Sequence, residues 1–439
     1  MESDSQPSCA MVPTQHISKP RLPSRSRRHT GRRSSPVLVA ALFCAALLWI
    51  PCFLGDGGDD AFSSSTAPVA FVSGSFLKQA LPTMGALLLG LILYASGQNQ
   101  EISIVLIYFG AQTGMNMYMK TVLSKMVVDE EAGLVGVPIG FLLTVIQQFV
   151  CFLLFGCFLL AGKVFNFGYQ TKKLTTKKEF VAIICFSMTF ALNIGLNNFS
   201  LSLVAISINM IIRACLPLST AISQLILGNC LSQAKSDLGA KEWTCMLIGV
   251  GCAGLATYVQ TVSGKSLGQS DGLILGVMCA VASIFSGAFN MVLAGVLGTT
   301  MKLNPLDTVC YMALPAGLFL LFPAMLIPHP MGKWPGFPSM TDWEVLLEVV
   351  NRNPWALTPV FFSGVLALVY NTLQYTLVHK LSATYATFAG NFNKAATVAL
   401  SLILGLESLP PGHYGRIYLM AVVGNIAAFT AYSASAQKK

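Results

Sequence analysis

Lys394 lies inside the apolar run Ala389–Leu400, and Arg213 has a similar setting within residues 201–228. A cation at mid-bilayer costs several kcal/mol unless it meets water, a partner or an anion. Within the apolar stretch 382–406, twelve residues precede Lys394 and twelve follow it, which is too deep for easy snorkelling. Arg213 is equally central in its stretch. Acidic partners are scarce, because no Asp or Glu falls inside the apolar stretches except at their ends. The two cations therefore point to an anion handled within the membrane. Arginine offers a fork that matches phosphate oxygens, and lysine a compact point charge.

Amides and hydroxyls cluster near these cations in the sequence. Gly390, Asn391 and Asn393 adjoin Lys394, and Asn209 lies four residues before Arg213. In the stretch 355–379, Tyr370 is followed by Asn371, Gln374 and Tyr375, the last three spaced i, i+3, i+4 on one helical face. Such groups can hydrogen-bond sugar hydroxyls or stack on a base. They can equally bond one helix to another. For any single residue the interhelical role is the stronger reading, and for the face as a whole a cavity is. Gln147 and Gln148 stay open between the two. Asn197 and Asn198 are expected to cap or turn the end of a helix.

Other chemistries find little support. The five histidines (His16, His29, His329, His379 and His413) do not cluster, so no metal ligand set is visible. The twelve cysteines form no CxxC pair and read as small apolar residues. Gly264-Lys265-Ser266 ends like a Walker phosphate loop, but Val259 stands where its first glycine belongs. No cofactor is expected. A membrane-embedded transferase would need acidic clusters or a His/Asp pair, so an enzyme is not expected either.

These residues are positioned by a membrane framework. The chain has 439 residues, of which 54% are apolar and 10% charged. Soluble domains carry about 25% charged residues, so the composition is that of a membrane protein. The net charge of +9 forms no basic face that would suit nucleic acid. It gathers at Lys19–Arg33 and in short loops, as the positive-inside rule describes. Residues 1–36 read as a disordered basic arm and 37–54 as a signal anchor or targeting segment. Residues 55–101 read as a linker with an extra apolar helix. The core at 102–435 divides into ten helices over 103–122, 137–162, 179–197, 201–228, 243–262, 272–298, 306–327, 355–379, 382–406 and 414–435. Loop charges place both core termini on the cytosolic side.

A repeat is legible in the core. Arg213 and Lys394 lie five helices apart, and their helices share the tetrapeptide Leu225–Gly228 and Leu402–Gly405. An odd number of spans per half makes the halves inverted, at 102–262 and 271–435, with a site where they meet.

At these residues the chain resembles the triose-phosphate/nucleotide-sugar transporter family of the drug/metabolite transporter superfamily. The resemblance rests on Leu192–Leu201, Met210–Pro217, Lys302–Asp307, and Ser382–Thr384 leading into Ala389–Lys394. It implies an all-α membrane fold, a ten-helix bundle in two inverted five-helix halves, with one or two extra N-terminal apolar segments here. Arg213 falls where plastid sugar-phosphate translocators carry a phosphate-binding lysine. Lys394 falls on the first residue of their Lys-Arg pair, but Ala395 replaces the second. Gly390–Lys394 also resembles a nucleotide-contacting motif of GDP-mannose carriers. The resemblance thus implies a secondary antiporter moving a nucleotide sugar against a nucleoside monophosphate, in a Golgi or ER membrane. The alternative is a sugar-phosphate/phosphate translocator of a plastid membrane. The expected partners are an anionic, phosphate-containing sugar and membrane lipids, with a homodimer left open.

Overall fold

A computed structural model describes residues 74–97, 100–124, 126–165, 169–204, 209, 212–213, 215–231, 238–263, 273–331, 334–337, 339–403 and 409–436. The expectations for 1–36 and 37–54 lie outside the described residues. The helices are α1 (Gly74–Ala95), α2 (Gln100–Ser124), α3 (Gly140–Val164), α4 (Lys177–Leu203), α5 (Leu216–Leu231) and α6 (Ala240–Ser263). They continue as α7 (Leu273–Thr299), α8 (Pro305–Leu326), α9 (Asp342–Arg352), α10 (Leu357–Lys380), α11 (Ala383–Ile403) and α12 (His413–Ala436). Five helical segments among the described residues are long and apolar enough to cross a membrane: Gly140–Val164, Lys177–Ser200, Ile274–Thr299, Pro305–Leu326 and Pro354–Lys380. The chain is a predominantly helical, multi-pass membrane protein.

Local sequence explains most helix starts. Thr176 with Glu179 and Thr341 with Glu344 form complete capping boxes on α4 and α9. Asn304 caps α8, with Pro305 in the first turn, where its missing N–H costs nothing.

Three expectations need correction. The third core helix does not end at 197. It runs on as α4 to Leu203, so Asn198 sits within a helix and donates to Thr144 Oγ1 at 2.9 Å. Nor is 201–228 one helix. Val204 is extended (φ −116°, ψ 156°), Ile212 and Arg213 are helical again, and α5 follows from Leu216. Val204 is β-branched and weak in helices, and Pro217 cannot bond back to the carbonyl of Arg213. Pro315 and Pro323 are tolerated inside α8, so proline alone does not break a helix here. Finally, the fold is not purely α. A hairpin of β1 (Val127–Asp129) and β2 (Leu134–Val135) joins α2 to α3, and β3 (His329–Pro330) pairs antiparallel with β4 (Ser339–Met340) before α9.

Helix packing follows small residues and buried amides. The main contacts are α4 with α7, α6 with α12, α1 with α2, and α3 with α8 and α10. Between α4 and α7, Ser283 donates to the carbonyl of Asn193 at 2.7 Å, and Gly287 leaves room for the Asn193 side chain. Gly364 lets α10 approach α3 so closely that an added Cβ would lie 2.6 Å from Val150.

Both ends of the bundle carry polar straps. At one, Tyr169 donates to Asp307 at 2.8 Å, and the backbone N–H of Lys172 donates to the same carboxylate at 3.1 Å. At the other, buried Asp342 accepts from the N–H groups of Phe141 (2.7 Å) and Leu142 (2.8 Å) and pairs with His329 (2.8 Å). A carboxylate at the start of α3 suits both the free N–H groups and the helix dipole. Arg352 bridges Asp129 at 2.7 Å and Glu348 at 2.6 Å on the same side.

Candidate functional site

Beyond the extended Val204, the chain is helical again at Ile212 and Arg213. Asn209 anchors this segment: it is buried and donates to Ser200 Oγ at 3.2 Å, near the end of α4. Arg213 is half-buried, and its charge acts on the hydroxyls of Tyr108 and Tyr370. It therefore faces α2 and α10.

Those two tyrosines form the centre of the site. Their rings stack with centroids 5.9 Å apart and planes 16° apart, and the hydroxyls share a hydrogen bond. Tyr370 also bonds to Gln112. Gln112 lies one turn after Tyr108, so both project from the same side of α2. Its Oε1 accepts from Asn393 Nδ2 at 2.8 Å. Asn393 also accepts from Thr113 at 2.9 Å and donates to the carbonyl of Phe109 at 3.1 Å. Gly390 fronts the same group. A Cβ there would lie 3.3 Å from Gln112 Nε2 and 3.7 Å from the Tyr108 hydroxyl. The chain thus brings one cation, two stacked phenols and three amide or hydroxyl side chains together from α2, α10, α11 and the segment between α4 and α5.

The sequence-predicted residues separate into groups. Arg213, Tyr370, Gly390 and Asn393 belong to this cluster. Asn391 and Asn371 are buried on α11 and α10. Gln374 and Tyr375 turn elsewhere: Gln374 meets the Met291 sulfur at 3.4 Å, and Tyr375 bonds to Asn290 at 3.3 Å against Phe186. They connect α10 to α7 and α4. Gln147 likewise donates to Ser363 at 3.0 Å, an interhelical role. Lys394 lies on α11 one turn beyond Gly390 in the backbone, and its side chain lies outside the described residues. Tyr108, Gln112 and Thr113 were missed. Their signal was a polar pair spaced i, i+4 in an otherwise apolar helix.

The arrangement can bind but shows no sign of bond-making chemistry. Among the described residues no three His, Cys, Asp or Glu side chains gather as metal ligands. A cation beside amides and stacked phenols suits a phosphate joined to a sugar or base.

No protein-family model matches the chain. It is 24% identical over 226 residues to the GDP-mannose transporter GONST5 of Arabidopsis thaliana, covering 51% of this chain and 58% of that protein. It is 26% identical over 219 residues to UDP-galactose transporter 1 of the same plant, covering 50% of this chain and 57% of the relative. The chain therefore spans a little over half the length of the curated relatives it matches. Both relatives are named as transporters of a sugar nucleotide, which agrees with the resemblance read from the sequence. A solved structure described only as "Crystal structure of protein" aligns with a TM-score of 0.46 and 11% identity over 75% of this chain and 96% of that one. That likeness carries no argument.

Proposed function

We propose that the chain is a nucleotide-sugar carrier of the triose-phosphate/nucleotide-sugar transporter family. In this reading it is a secondary antiporter that exchanges its substrate for a nucleoside monophosphate, and not an enzyme. The observation that carries the reading is Arg213, whose charge acts on Tyr108 and Tyr370 beside Gln112 and Asn393. Arg213 takes the phosphates, and the amides and phenols take the sugar or base. Lys394 is assigned to the same anion. The two halves, 102–262 and 271–435, are read as inverted repeats that rock about this site. An organelle membrane follows, with the Golgi the first place to look. The names of both relatives favour a sugar nucleotide over a free sugar phosphate.

The test is exchange in liposomes. Vesicles preloaded with a nucleoside monophosphate should take up external sugar nucleotide faster than empty vesicles. Acceleration by internal inorganic phosphate or a sugar phosphate alone would replace this reading with that of a sugar-phosphate translocator.

A further inference from the structure

Helix α9 has three sides, and the protein uses only two. Asp342, Val345 and Val349 are buried against the bundle. Glu344, Glu348 and Arg352 form a charged side, on which Arg352 bonds to Glu348 and Asp129. Trp343, Leu347 and Val350, spaced i, i+4, i+7, form a third stripe and are 40%, 46% and 40% exposed. At about 100° per residue, this stripe lies roughly 130° around the helix from the buried side.

The chain fixes where that stripe must lie. At one end, the candidate span Pro305–Leu326 finishes three residues before His329, which pairs with Met340 just ahead of α9. At the other, only Asn353 separates Arg352 from the start of the candidate span Pro354–Lys380. An 11-residue helix is about 16 Å long. A helix tethered at both ends to two membrane exits stays near the bilayer surface. Large apolar side chains are also exposed on its neighbours in the chain, at Phe322, Met325 and Leu326 before it and Trp355 and Phe361 after it. Tryptophan in such a stripe suits the headgroup level, where one part of the ring is apolar and its N–H is wet.

We propose that α9 is an interfacial helix whose Trp343–Leu347–Val350 stripe, with Trp355, seats in the boundary between lipid headgroups and acyl chains. A bilayer surface is its partner. Through Asp342 on the inner side, that contact joins the same helix that caps α3.

The full chain, reconstituted in phosphatidylcholine vesicles, provides the test. The lipids carry bromine either near the headgroup or deep in the acyl chain, and tryptophan fluorescence is compared among wild type, Trp343→Phe and Trp355→Phe. The component lost in each variant should be quenched more by shallow than by deep bromine and be protected from acrylamide. Adding Val350→Trp to Trp343→Phe should restore it. A component quenched by acrylamide but not by bromine places the stripe in water and overturns the proposal. So does one shielded from both, in a protein that runs as a dimer split by Leu347→Asp, since a second copy would then cover the stripe.

Discussion

In the proposed carrier, Arg213 is the residue on which anion binding turns, and its substitutions separate charge from geometry. Hydrogen bonds to charged groups contribute about 1.5–3 kcal/mol. Arg213→Gln should therefore weaken substrate binding by about 10- to 100-fold, read as the loss of ligand-induced thermal stabilisation in detergent. Arg213→Lys should keep part of the exchange activity, because charge survives without the fork; complete loss would make the fork itself essential. Lys394→Ala should abolish exchange in liposomes while the protein still inserts, and normal exchange would remove Lys394 from the site. At this scale the sequence was partly legible. Arg213, Asn393 and Tyr370 stood out because polar residues in apolar runs demand a reason. Tyr108 and Gln112 did not, since neither lies beside a cation in the chain. Gln374 and Tyr375 illustrate a related point: shared spacing puts residues on one face but does not say which neighbour that face meets.

At the scale of elements, the capping box before α4 and the cap-and-proline start of α8 were written in the local sequence. The break after Leu203 was not, because an apolar run looks alike whether it is one helix or two. What ends α4 is the extended backbone of β-branched Val204, a matter of backbone sterics that hydrophobic periodicity does not record. The Asp342 clamp on α3 was also hidden, as it joins groups about two hundred residues apart in the chain. Asp342→Ala would leave the start of α3 and His329 without their buried partner. Each buried group left without its hydrogen-bond partner costs about 1–3 kcal/mol, so stability should fall, seen as a lower melting temperature in detergent. Gly364→Ala should cost about 1–3 kcal/mol by forcing α10 away from Val150. An unchanged melting temperature would mean that α3 can shift aside freely.

Across the whole molecule, the two straps hold opposite ends of the bundle. The Tyr169–Asp307 contact joins the α3–α4 connection to α8, and the Asp129–Arg352 pair joins the β-hairpin to α9. Alternating access requires that they not both stay closed. The Ala132 N–H, and after it Arg352, hold the Asp129 carboxyl below the usual carboxylate range. Its stabilising contribution is therefore present at neutral pH and is lost as pH falls through that lowered value, below about 4. Arg352→Gln removes part of this depression and should move the acid limb of unfolding to higher pH. An unmoved limb would show that other carboxylates set it. The membrane framework was legible in composition and charge placement; the straps were not, because each forms only when distant loops meet.

The gap between Leu203 and Leu216 also bears on how such a chain could diverge. In an unbroken helix, one inserted residue turns everything downstream by about 100° and swings the inward face toward lipid. Here a change of length would be absorbed at the extended Val204, and α5 would stay seated against α7. Descendants of this gene could thus lengthen or shorten the segment that carries the guanidinium and retune what it grips, while the scaffold on either side stays as it is.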